Sequence, residues 1–148
     1  MATRRRLRTA RAHDADALHL KWAEISQQLS WKAEEAAKYS SNREHPSHRQ
    51  LGRIASVLGQ LHQASARMPM LVYRLDENPR QYAEYDRQLL SLSARLAGIS
   101  AERILTDRSY AKRQTEKLRR LNKEATPLSA EICKVGDDLQ WIDIVYGD

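Results

Sequence analysis

The sequence predicts an all-α fold: a single helical bundle of about five to six helices behind a basic, flexible N-terminal arm. Three observations carry this. Only five Gly and four Pro occur in 148 residues, too few for the many turns of a β-sandwich or barrel. Ala, Leu, Arg, Glu, Gln and Lys are abundant, and all favour helices. Apolar residues recur at spacings of three and four, which places them on one face of a 3.6-residue helix. The length suits one domain, and 41% hydrophobic residues suffice for a core. That core is aliphatic, because Phe is absent and the aromatics are three Trp and six Tyr. Residues 1–13 form the arm and residues 14–148 the bundle.

The first helix is expected to start at Asp14 or Asp16 as N-cap and run to about Tyr39, with Leu18, Trp22, Ile25 and Leu29 on one face. Trp31 falls off that stripe, which implies a break near Ser30 or packing against another element. After the loop SSNREHPS, a second helix is expected with Pro46 in its first turn and Asn42 or nearby polar groups as its cap. It carries Leu51, Ile54, Leu58, Leu61 and Met68, with a strip of small residues (Gly52, Ala55, Gly59, Ala66) that suggests close approach of another backbone. Pro69 ends or kinks it, and MLVYRL is read as helical. Asn78-Pro79 opens a third helix, where Tyr82, Tyr85, Leu89, Leu92 and Leu96 repeat at three and four, and Gly98-Ile99 closes it in a Schellman turn. Ser100 caps the next helix, with Glu102 in its first turn and a pause at Thr106-Asp107 before it continues to about Glu124. Thr126-Pro127 starts a short helix ended by Gly136, and the apolar tail DDLQWIDIVYGD fits a helix or an edge strand.

Charge is the most informative property. The net charge is +6, of which residues 1–13 contribute +5. The body is nearly neutral but segregated. His45 to Leu75 holds no acid and contains Arg49, Arg53, Arg67 and Arg74, whereas Arg103 to Lys123 holds eight basic residues against Asp107 and Glu116. At 100° per residue, Arg108, Lys112, Arg119 and Lys123 fall within about 60° of one another, with Arg113, Lys117 and Arg120 in a further row. Ile104, Ala111, Leu118, Leu121 and Ala125 face the other way. Such cation rows suit a polyanion, because Lys and Arg contacts to phosphates release condensed counterions. Tyr110, Tyr82 and Tyr85 are further candidates for stacking on unpaired bases, with core packing as their commoner fate. A solvated amphipathic face is the plain alternative, but the alternating Glu and Lys that normally brace such a face are missing.

Other chemistries find little support. His45 with His48, and Asp16 with His19, are the only local metal-ligand pairs, and a single cysteine, Cys133, rules out a Cys-His zinc site of ordinary type. No nucleophile elbow, phosphate-binding glycine loop or converging acid-base set occurs, so a non-enzyme without cofactor is expected. Pairs such as Glu34-Glu35, Asp76-Glu77 and Asp137-Asp138 read as surface charges. No apolar run is long enough to span a membrane, and no secretory signal follows the arginines, so the expected location is the cytoplasm, with no membrane partner.

The expected function is therefore non-catalytic binding of nucleic-acid backbone, RNA or DNA, through Arg49, Arg53, Arg108, Lys112, Arg113, Lys117, Arg119, Arg120 and Lys123. In size, helix content and basic rows such as AKRQTEKLRRLNK, the chain resembles the small all-helical subunits of CRISPR effector complexes. That resemblance implies a nucleoprotein assembly with other protein subunits, further copies of the chain among them. Phage and plasmid duplex-DNA-binding proteins have a similar outline. A helical protein-interaction or self-assembling subunit, whose acidic C-terminus meets the basic face of the next copy, is the competing reading.

Overall fold

The computed structural model describes residues 2–72 and 79–146, with side chains described for 16–71 and 79–138. All regular structure among them is helical: α1 (Ala2–Ser40), α2 (His48–Val72), α3 (Pro79–Ala97), α4 (Ala101–Thr106) and α5 (Arg108–Tyr146). The all-α expectation holds. The count resolves into four long helices and the six-residue α4, because α1 and α5 absorb stretches read from sequence as separate pieces.

Hydrogen bonds between helices fix their directions. His62 Nδ1 donates to Ser26 O at 3.1 Å, and His19 Nδ1 lies 3.5 Å from Pro69 O, so α1 and α2 are antiparallel. Gln50 Nε2 donates to Thr115 Oγ1 at 3.1 Å and Ser129 Oγ donates to Gln60 O at 2.9 Å, which makes α2 and α5 parallel. Arg95 pairs with Glu124 at 2.6 Å, and Tyr85 lies beside Glu131, so α3 runs against α5. The long helices thus follow one another around the bundle as α1, α2, α5 and α3, with α4 packed across α5 and the start of α2.

The core follows the heptad-like stripes. Trp22 and Leu29 are buried on α1, with Leu18 and Ile25 packed beside them. Leu51, Ile54, Leu58, Leu61 and Met68 are buried on α2, all five stripe residues on α3, and Ile104, Ala111, Leu118, Leu121 and Ala125 on α4 and α5. Trp22 is also a polar anchor. Its indole Nε1 donates to Tyr82 Oη at 3.0 Å and Asp86 Oδ1 at 3.1 Å, and Lys21 Nζ reaches the same carboxylate oxygen at 2.8 Å. Burial pushes the Tyr82 phenol up to about 12.

Several boundaries differ from the sequence reading. The α1 backbone is helical from Ala2 through Ser40, with neither Asp14 nor Asp16 starting it and no interruption at Ser30. Nothing between residues 2 and 40 is Gly or Pro, so no local signal ends the helix. The arm's side chains lie outside the described residues. Trp31 projects away from the bundle, 63% exposed. Asn42 caps a turn in the loop, accepting from Glu44 N at 3.1 Å, and α2 begins at His48, two residues after Pro46. Pro69 lies inside α2, which continues to Val72. Residues 73–75 and the expected cap Asn78 lie outside the described residues, as do Asp76 and Glu77.

A Schellman turn needs a left-handed residue, and no described glycine has positive φ. The third helix instead closes with tight bonds from Gly98 N to Arg95 O at 3.3 Å and from Ile99 N to Leu96 O at 3.0 Å. The Ser100 cap and the Thr106-Asp107 pause are as expected. Ser100 Oγ accepts from Arg103 N and Asp107 Oδ1 from Tyr110 N, each at 3.1 Å. Beyond them, α5 runs through Pro127 and Gly136 to Tyr146, so the tail is helix, not strand.

Candidate nucleic-acid interface

The seven cations nominated on α5 are all solvent-exposed, as is Arg49, whereas Arg53 is half-buried. Their exposure follows from the inward packing of Ala111, Leu118, Leu121 and Ala125, which leaves the other positions of the helix to water.

The structure divides them between two flanks. With Leu118 taken as inward, Arg108, Lys112, Arg119 and Lys123 lie about 80–140° round α5 on the side where Thr115 and Thr126 bond to α2. Arg113, Lys117 and Arg120 lie about 100–160° round the opposite way, toward α3. The ridge between the flanks carries Ser109 and Glu116, and Glu116 pairs with Arg119 at 3.6 Å. Two rows read as neighbours from sequence therefore face different sides of a helix.

Arg49 and Arg53 join the first flank. Gln50 bonds Thr115, and Thr126 bonds Gln60, so α2 and α5 advance together with a nearly constant offset. That register sets Arg49 and Arg53 level with the α5 turns that carry Lys112 and Arg119. The seam between the helices thus presents Arg49, Arg53, Arg108, Lys112, Arg119 and Lys123 over a length of about 22 Å, at 1.5 Å per residue. Apart from Arg119 with Glu116, none forms an ion pair among the described residues. On the other flank, Lys117 and Arg120 share a cavity of about 300 Å³ with Arg95, over Ile99 and Leu121. Arg95 was missed from sequence, because its position on another helix gives no local sign that it meets this row.

A polar zipper holds the seam. Besides the Gln50 contact, Thr126 Oγ1 reaches Gln60 Oε1 at 3.3 Å, and Arg67 Nε reaches Asp137 Oδ1 at 3.4 Å. These bonds fix the register of the two helices along the seam.

The tyrosines nominated for base stacking are core residues. Tyr82, Tyr85 and Tyr110 are buried, and Tyr110 Oη accepts from Ser100 N at 3.0 Å while Arg103 lies 4.0 Å over its ring. The histidines of HPSH are structural too. Ser47 N donates to His45 Nδ1 at 3.0 Å and His45 Nε2 donates to Leu105 O at 2.9 Å, which uses both ring nitrogens to tie the α1–α2 loop to α4. No group of three metal-ligating side chains converges among the described residues. The Glu34, Glu35, Asp137 and Asp138 side chains are exposed, and Cys133 is half-buried. No helix among the described residues is long and apolar enough to cross a membrane. No protein-family model, characterised relative or solved structure matches this chain.

Proposed function

We propose that this chain is a non-catalytic helical subunit that binds the backbone of RNA or single-stranded DNA within a larger nucleoprotein assembly, as the small subunits of CRISPR effector complexes do. The observation that carries the reading is the α2–α5 seam, where six cations stand along two hydrogen-bonded helices and, among the described residues, only Arg119 is paired with an acid, Glu116. Lys and Arg at fixed spacing, all but Arg119 without an ion pair among the described residues, gain affinity by displacing counterions from phosphates, and they do so without reading sequence. The buried tyrosines leave stacking a small part in it. The six-residue α4 is too short for the first helix of a helix-turn-helix, which disfavours major-groove reading of duplex DNA.

The test is fluorescence polarisation with a uridine-rich RNA, the matching DNA strand and a duplex. The quadruple variant Arg49→Ala, Arg53→Ala, Lys112→Ala, Arg119→Ala is expected to lose about tenfold or more in affinity for the single strands, with a shallower dependence on salt. Arg113→Ala, Lys117→Ala, Arg120→Ala is expected to lose less. Equal losses from both sets, or none from the first, reject the seam as the binding surface.

A further inference from the structure

A cavity of about 410 Å³ opens between α1 and α3, and none of the seam cations lines it. Its origin is in the side chains. At one end of the α1–α3 pair, Trp22 fills the space and bonds across to Tyr82 and Asp86. Toward α4 the facing positions are small, with Ala36, Ser93, Ala97 and Ala101 where a bundle ordinarily places leucine, so the two helices stand apart over a floor of Leu29, Ile54, Leu58 and Leu96. The volume is in the range of small-molecule sites, about 300–1,000 Å³. Leu90, 37% exposed, stands in the same lining.

The charges of the lining are uneven. Tyr39 Oη donates to Glu35 Oε1 at 3.0 Å, and the phenol is held above its ordinary value by Glu35 first and also by Glu102. Both residues line the cavity, and both act on the Tyr39 phenol, which lines it too. Lys32 is the single cation of the lining, and it forms no ion pair with either of them. A long apolar trough that ends in two acids is complementary to an apolar body with one positive end.

We infer that this cavity is a binding site for an amphiphilic organic cation, its aliphatic or aromatic part lying along α3 and its ammonium group between Glu35 and Glu102. The site is independent of nucleic-acid binding. Apolar atoms in the trough cover the exposed surface of Leu90, Ala97 and Ile25, and the ammonium group brings the opposite charge to two carboxylates, whereas an alcohol brings none and a carboxylate is repelled.

Calorimetric titration with octylamine, octanoate and octanol tests it. Octylamine is expected to bind about tenfold or more tightly than either of the others. Glu35→Gln with Glu102→Gln is expected to remove that preference, and Ser93→Leu with Ala97→Leu, which fills the trough with good helix formers, to abolish binding while the thermal melt stays cooperative. No binding of octylamine, equal binding of octanol, tighter binding of octanoate, or octylamine binding that survives the filled trough each overturns the inference. So does a trough that ignores all three probes and accepts a basic amphipathic peptide, which would make it a protein-docking site.

Discussion

Gly136 lies against Arg67 so closely that a Cβ built on it would collide with Arg67 Cβ and Cγ, whereas one built on Gly52 or Gly59 would meet nothing within 4 Å. The three glycines should therefore respond oppositely to alanine. Gly52→Ala and Gly59→Ala are expected to stabilise the protein by about 0.5–1 kcal/mol each, the helix-propensity difference. Gly136→Ala is expected to destabilise it, because Arg67 must leave the contact from which it reaches Asp137; urea denaturation of the three variants separates the cases. Sequence reading placed a close approach at the α2 glycines, since a helical glycine usually has a packing reason, but the contact is made by the α5 glycine that had been read as a helix end. Tyr82 supplies a pH test. Its folded value of about 12 lies above the ordinary 10, so the stability it contributes is complete below pH 10 and is lost as pH rises toward 12. Tyr82→Phe is expected to cost about 1 kcal/mol at neutral pH, through the lost Trp22 hydrogen bond, and to flatten the fall in unfolding free energy between pH 10 and 12.

Among the helices, the apolar stripes were legible because burial imposes its own period, and every stripe residue named on α3 proved buried. Helix ends were less so. Pro69 reads as an end or kink and Pro127 as the start of a separate short helix, yet both lie inside long helices. A proline lacks the amide that would bond one turn back, a local cost that packing along the rest of α2 and α5 outweighs. Thr126 shows how the turn is held: its hydroxyl donates to Asn122 O at 2.8 Å and contacts Gln60 on α2. Pro127 itself is exposed, so Pro127→Ala is expected to restore a backbone bond without disturbing the core and to raise stability by about 1–3 kcal/mol, measured by denaturant midpoint. The Ser100 and Asp107 caps were legible because side-chain capping is chemistry between residues three apart. The missing left-handed turn at Gly98 was not, since a glycine permits positive φ without requiring it.

For the molecule as a whole, the cation rows were visible in sequence but their destinations were not. Helical projection groups residues on one helix and says nothing about which neighbours stand to either side; the parallel pairing of α2 with α5 gathers Arg49 and Arg53 into one flank and leaves Arg113, Lys117 and Arg120 on the other. If about four to six phosphates are contacted at the seam, log affinity for a single strand should fall with log salt at a slope of about −3 to −4. The quadruple seam variant should bring that slope closer to zero. The α1–α3 trough had no sequence signature, because small residues at those positions look like ordinary helix formers until the opposing helix is known.

The register of α2 with α5 also bears on how the chain reaches its final state. Partners such as Gln50 and Thr115 are separated by 65 residues, so the side of α2 that carries Gln50 and Gln60 stays without its α5 partners until the last helix has been synthesised. The α1–α2 hairpin, whose partners are 36 and 50 residues apart, can form before α5 exists, while the docking of α5 is a later step of longer range. A product truncated before Arg108 should therefore fail to melt cooperatively, and it would also lack the seam. Under the proposed function, competence to hold a strand is acquired at the end of folding, and incomplete chains should not compete with finished ones for it.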